Sequence, residues 1–346
     1  MKKNTLLLAM GATMLAFVSC SKDDNPLPPD SRPILDSVIN GGGAKYPNKV
    51  FIDLSEGRQT SVNRANWDLG FSNGSEFRVT LNASVNMLAK AVSKNDMNAV
   101  GAADTIGLAE LMVIGNTATP AALSYIDNPN GDITQTAMAE VSATATENKV
   151  YIINRGTDPD GNARKWQKIR VLRNNNGGYT LQYADIAATN FSEVQVAKNT
   201  NYNFNCVTFN NGALVEVEPE KTKWDIAWTY FVNSTPLSAT ESIPYGFQDF
   251  ILQNKTGVQT AQVMNTSFTY DAITAKDAAG LTFSSAQNNI GSSWRAGGGP
   301  TSAPAVRTDR FYVIKDPAGQ YFKLQFVSLT KSGERGWPQI KYALIK

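Results

Sequence analysis

One eight-residue pattern occurs twice and sets the frame for the whole chain. Arg64-Ala-Asn-Trp67-Asp68-Leu69-Gly70-Phe71 returns as Lys221-Thr-Lys-Trp224-Asp225-Ile226-Ala227-Trp228. A second pair follows in the same order. Val150-Tyr151-Ile-Ile153, a turn and Trp166-Gln-Lys168-Ile-Arg-Val171 are matched by Phe311-Tyr312-Val-Ile314, a turn and Tyr321-Phe-Lys323-Leu-Gln-Phe326. From Trp67 to Tyr151 is 84 positions and from Trp224 to Tyr312 is 88. Equal order at near-equal spacing implies a duplicated domain. The boundary falls near residue 192, giving a first domain over 34–192 and a second over 193–346.

The repeated segments read as strands. Lys49–Asp53, Lys149–Ile153, Lys168–Leu172 and Phe311–Ile314 are short, rich in β-branched and aromatic residues, and bounded by Gly, Asn, Asp and Pro turns. The last strands of the two repeats are Tyr179–Tyr183 and Gln339–Tyr342. Helical periodicity is weak, with Asp104–Ile114 and Ala272–Gly280 the only passable candidates. The expectation is an all-β protein of two tandem antiparallel domains, sandwich or barrel-like, with little helix.

Composition narrows the chemistry. The chain has no histidine, which removes the commonest general base, the usual metal ligand and the usual haem ligand together. A Ser-His-Asp triad cannot be built, no nucleophile and base can be paired, and no catalytic residue or resident metal site is expected. The net charge of +2 carries no basic block, so nucleic acid is not a predicted partner.

The first residues point to export. Lys2 and Lys3 precede an apolar run from Leu6 to Val18, too short for a bilayer core of about 30 Å, so residues 1–19 are expected to be a signal peptide. The run ends in Phe17-Val18-Ser19-Cys20, close to a lipobox, which makes Cys20 the predicted lipid attachment site. Residues 20–33, acidic and then proline-rich, read as an extended tether. Cys206 is the only other cysteine, so no intramolecular disulfide is expected in the mature chain. The predicted location is the outer membrane, reached through the lipid anchor and exposed at the cell surface, with its periplasmic face as the alternative.

The Trp-Asp-Ile-Ala strand, the hairpin of the form Tyr-Val-Ile then Tyr-Phe-Lys-Leu, and Gly336-Trp-Pro-Gln-Ile-Lys-Tyr342 resemble the HmuY family of haem-binding bacterial lipoproteins. The resemblance runs from about residue 207 to the C-terminus, and the first half echoes it. It implies an all-β fold holding haem between loops or strand ends, and a role in taking haem from host carriers to an outer-membrane receptor. The best-known members bind haem iron through two histidines, which this chain lacks, while other relatives use methionine. Thioether sulfur is a chemically reasonable axial ligand. The family's ligands lie between the Trp-Asp strand and the closing hairpin, where four of the five methionines beyond the leader fall. The candidate haem ligands are therefore Met112 with Met138, or Met87 with Met112. Methionine in a core is the competing reading, above all for Met112 within Glu110–Ile114.

Other motifs carry less. Asp158-Pro-Asp160-Gly161-Asn162 reads as a hairpin turn rather than a calcium loop, which would need a glutamate twelfth. Asp68 and Asp225 share one repeat position, which favours a structural role over paired acid catalysis. The glycine runs 41–43 and 297–299 read as flexible loops, and Trp294-Arg295 as a ligand mouth or an exposed loop. Two functions stand from this reading: a non-catalytic haem-binding protein, or a surface lipoprotein using the same scaffold for another ligand or a partner protein.

Overall fold

The structure, a computed structural model, describes residues 35–298 and 302–346. The expected signal peptide, Cys20 and the tether lie outside the described residues, as does Gly299. The first repeat supplies β1 (Leu35–Val38), β2 (Asn48–Asp53), β3 (Arg58–Asn63), β4 (Leu69–Ser72), β5 (Val79–Leu81), β6 (Leu88–Ala91), β7 (Tyr151–Asn154), β8 (Gln167–Arg173) and β9 (Tyr179–Asp185). The second supplies β10 (Ser192–Val196), β11 (Phe204–Val207), β12 (Leu214–Val215), β13 (Ile226–Pro236), β14 (Ser242–Gln253) and β15 (Gln259–Met264). It continues through β16 (Arg295–Ala296), β17 (Ala305–Val306), β18 (Arg310–Lys315), β19 (Tyr321–Lys331) and β20 (Glu334–Leu344). All pairings are antiparallel. The fold is all-β, and no sheet closes into a barrel. Helix among the described residues is limited to short pieces, including Leu108–Leu111 and Ala275–Ala279 inside the two expected stretches.

Two large sheets of five strands run β10-β9-β8-β7-β6 and β1-β20-β19-β18-β15, and two of four strands run β12-β11-β4-β5 and β14-β13-β2-β3. Each five-stranded sheet packs on a four-stranded one. In the first lobe Leu69, Phe71 and Val207 meet Ile153, Ile169 and Leu181. In the second, Val50, Ile52, Ile226 and Trp228 meet Ile314, Phe322, Leu324 and Ile340. These side chains are 0–1 % exposed, and each contributes about 1.5–3 kcal/mol by leaving water. The outer face of each five-stranded sheet is covered by the long connection inside its own repeat. Leu108, Met112 and Ile126 lie over Ile152, and Tyr270, Ile273 and Ala278 over Phe311 and Val313.

The lobes cut across the sequence halves. β1, β2 and β3 precede the first Trp-Asp strand but join the second lobe, β1 against β20 and β2 against β13. Reciprocally, β10 and β11 precede the second Trp-Asp strand but pair with β9 and β4 of the first lobe. Each repeat therefore lends its leading strands to the other.

Two loops differ from expectation. Gly41 is not in a free loop: a Cβ there would lie 2.2 Å from the Trp228 ring and close to the Gly336 carbonyl, so only glycine lets the chain cross this tryptophan. Trp294 lines no mouth; it is 1 % exposed, stacks on Phe326 at 4.1 Å and donates its indole N–H to the Asp249 carbonyl at 3.0 Å. Arg295 turns toward the buried Asp249 carboxylate beside Arg335. The Asp158 segment is a tight turn, with Asp158 Oδ1 accepting from the backbones of Asp160 and Asn162 and Gly161 at φ +86°.

Candidate functional site

The Trp-Asp motif builds the same joint in both lobes. Asp68 accepts the Phe209 N–H at 2.7 Å, and Asp225 accepts the Leu54 N–H at 2.8 Å, so each aspartate fixes the strand lent by the other repeat. Asn82 donates its amide to the carbonyls of Arg64 and Trp67, and Asn254 does the same to Lys221 and Trp224. The structure thus places Asp68 and Asp225 in backbone clamps, one per lobe. Their electrostatic settings differ. Asp68 pairs with Arg155 at 2.9 Å and Arg164 at 2.8 Å. At Asp225 burial, with Asp53 and Asp316 nearby, pushes the carboxyl up to about 7.

Between the lobes lies a cleft of ≈ 380 Å³, within the usual range for small-molecule sites. Strand alternation makes it. On β2, Val50 and Ile52 enter the lobe core while Lys49 and Phe51 face the cleft; on β13, Ile226 and Trp228 face in and Thr229 and Phe231 line the cleft. The opposite wall comes from Gly70 and Ser72 of β4 and Phe204 and Cys206 of β11. The two repeat tryptophans, Trp67 and Trp224, stand at the cleft with Phe51 and Cys206 in one cluster. Phe51 meets Trp224 edge-on with ring centroids 5.0 Å apart. Lys49 Nζ lies 4.9 Å from the Phe51 ring and 6.0 Å from the Trp67 ring. Burial lowers the Lys49 ammonium from its ordinary value and raises the carboxyls of Glu218 and Asp127, the latter to about 6. It also pushes the Cys206 thiol far up, leaving it protonated and unreactive.

The methionines lie elsewhere. Met87 and Met138, 1 % and 2 % exposed, share the core of the first lobe. Met112, 2 % exposed, packs with Met97 in the cluster on the outer face of the five-stranded sheet. The structure therefore brings Met87 and Met138 into one core and does not bring Met112 to either; the sheet stands between. None of the three lines the cleft. Among the described residues no cluster of three or more His, Cys, Asp or Glu could hold a metal ion. The cleft's aromatic wall and lysine suit the flat apolar body and carboxylates of a haem. Its donor set offers the iron neither imidazole nor thioether.

The cleft residues went unmarked in the sequence because Lys49 and Phe51 sit in a segment read only as a strand. The available signal was that the first half of β13, residues 226–232, is largely apolar on both faces and that β2 carries Phe51 opposite Val50 and Ile52, which calls for cover on both faces.

The chain matches the HmuY protein family over residues 45–342 and belongs to that family. A similar solved structure is apo PinO from Porphyromonas gingivitis, 15% identical, aligned over 46% of this chain and 86% of that one with a TM-score of 0.18. No curated protein matches the chain significantly. No described helix is long and apolar enough to cross a membrane.

Proposed function

We propose that the protein is a non-catalytic, haemophore-like lipoprotein, anchored through Cys20 at the outer membrane, that takes up haem in the cleft between its lobes. Host haem carriers would supply the ligand and an outer-membrane receptor would receive it. The observation that carries this reading is the cleft itself: an aromatic-walled cavity in a member of the HmuY family, lined by both repeat tryptophans with their indole N–H groups unpartnered. Aromatic faces supply contact area for a macrocycle, and buried donors supply orientation.

A second reading keeps the cleft and changes the ligand to another apolar molecule or a partner segment. The absence of histidine from the chain and of methionine from the cleft favours it.

Titration with haem under oxidising and reducing conditions, following the Soret band, separates the two. Met87→Ala, Met112→Ala and Met138→Ala are each expected to lower stability by about 2–5 kcal/mol as core truncations, with haem affinity of the folded variants unchanged. Loss of a six-coordinate spectrum in two of them would instead establish methionine ligation. No saturable spectrum in the parent protein would leave the second reading.

A further inference from the structure

The hydrogen-bonding groups of the cleft are unbalanced in one direction. Its buried acids are supplied by the protein. Asp127 accepts the backbone N–H groups of Leu81 at 2.6 Å and Ala137 at 2.9 Å. Glu218 accepts the Phe204 N–H at 2.8 Å and the Asn203 amide at 3.4 Å. Three donors on the aromatic wall are not supplied. Trp67 and Trp224, 8 % and 7 % exposed, have buried indole N–H groups without any acceptor. The Lys49 ammonium makes no hydrogen bond or ion pair among the described residues; it lies over the Phe51 and Trp67 rings, with Glu218 the carboxylate that acts on it at longer range. Buried donors are rarely left unpaired in native proteins, so whatever fills this cleft brings acceptors.

The duplication shows where they go. Leu69 pairs with Val207 as Ile226 pairs with Ile52, so Cys206 stands where the other repeat has Phe51, and Phe204 where it has Lys49. On one side Phe51 fills the space against Trp224. On the other, the short Cys206 leaves room before Trp67, and Lys49 reaches toward that ring from the facing strand. The two repeats differ at this pair: one carries the short Cys206 where the other has Phe51, and the other carries the charged Lys49 where the first has Phe204.

We infer that the cleft selects an organic anion, whose carboxylate oxygens accept from Lys49, Trp67 and Trp224 while its apolar body lies on the aromatic wall. This rests on the reading that the cleft is the ligand site. An arriving carboxylate would also restore the Lys49 ammonium toward its ordinary value, since an opposite charge favours the charged form.

The test compares protoporphyrin IX with its dimethyl ester, which keeps the macrocycle and removes both negative charges, by porphyrin fluorescence titration of the parent protein and of Lys49→Met, Trp67→Phe and Trp224→Phe. Thermal melts check that each variant is folded. The free acid should bind the parent protein at least about ten-fold more tightly than the ester, the scale of a hydrogen bond to a charged group. Lys49→Met should remove that preference without weakening the ester, and each Trp→Phe change should reduce it. Equal binding of acid and ester by the parent protein overturns the inference and leaves the cleft as a site for neutral ligands. Binding of neither overturns the reading beneath it. Should Lys49→Met not fold, the acid and ester comparison on the parent protein decides alone.

Discussion

Asp68 and Asp225 hold equivalent backbone N–H groups yet face opposite charge. Arg155 follows β7 and closes on Asp68, whereas Asp316 follows β18 at the matching place and faces Asp225. Asp68→Asn would leave two buried guanidinium groups short of a counter-charge. It should cost about 3–5 kcal/mol in denaturant unfolding at pH 7. Asp225→Asn keeps an acceptor for the Leu54 N–H and removes a carboxylate that burial disfavours, so it should be neutral or stabilising at the same pH. An unfolded aspartate titrates near about 3.9, while folded Asp225 titrates at about 7 and Asp127 at about 6. Between those values the native state holds protons the unfolded chain has released. Their contribution to stability is therefore full below about pH 4 and is lost as pH rises through 6 to 7. Unfolding free energies of Asp225→Asn measured from pH 4 to 8 should fall less steeply over that window than those of the parent protein.

The leading strands of the first repeat are held at a crossing that tolerates no added bulk. Gly41→Ala would drive its Cβ into the Trp228 ring and the Gly336 carbonyl. It should destabilise by about 1–3 kcal/mol or more, read as a lower melting temperature, whereas alanine at Gly177, where a Cβ meets nothing within 4 Å, should cost only the strain of its φ of +75°. Element type was legible because alternation and turn residues are local: β2, β8 and β18 fall within a residue or two of the runs read as strands. Gly41 and Trp294 were misread because their partners, Trp228 and Phe326, are distant in sequence, and polar or glycine-rich neighbours dominate a local window. The Trp-Asp motif was legible as a repeat. Its partners were not, because the hydrogen bonds of Asp68 and Asp225 run to strands lent by the other repeat.

At the scale of the molecule, the exchange of leading strands makes the halves interdependent. A fragment of residues 193–346 lacks β1, β2 and β3, leaving β13 and β20 each with one unpaired edge. A fragment of 34–192 lacks β10, β11 and β12. Neither fragment alone should give a cooperative thermal transition. Mixed in equal amounts, they should recover one, read by near-ultraviolet circular dichroism, because each carries the strands the other needs. The same exchange sets β2 and β11, with Lys49, Phe51, Phe204 and Cys206, on facing walls of the cleft, so the candidate site draws on both halves of the chain and belongs to neither alone. The most direct test fills it. Cys206→Phe installs the side chain that the other repeat carries at this position, where Phe51 packs on Trp224. Haem titration of that variant, beside its melting curve, is predicted to show an unchanged melting temperature and an affinity reduced at least about ten-fold, the scale of a lost well-formed contact. A stable variant that binds haem as tightly as the parent protein would place the ligand outside the cleft and contradict the account.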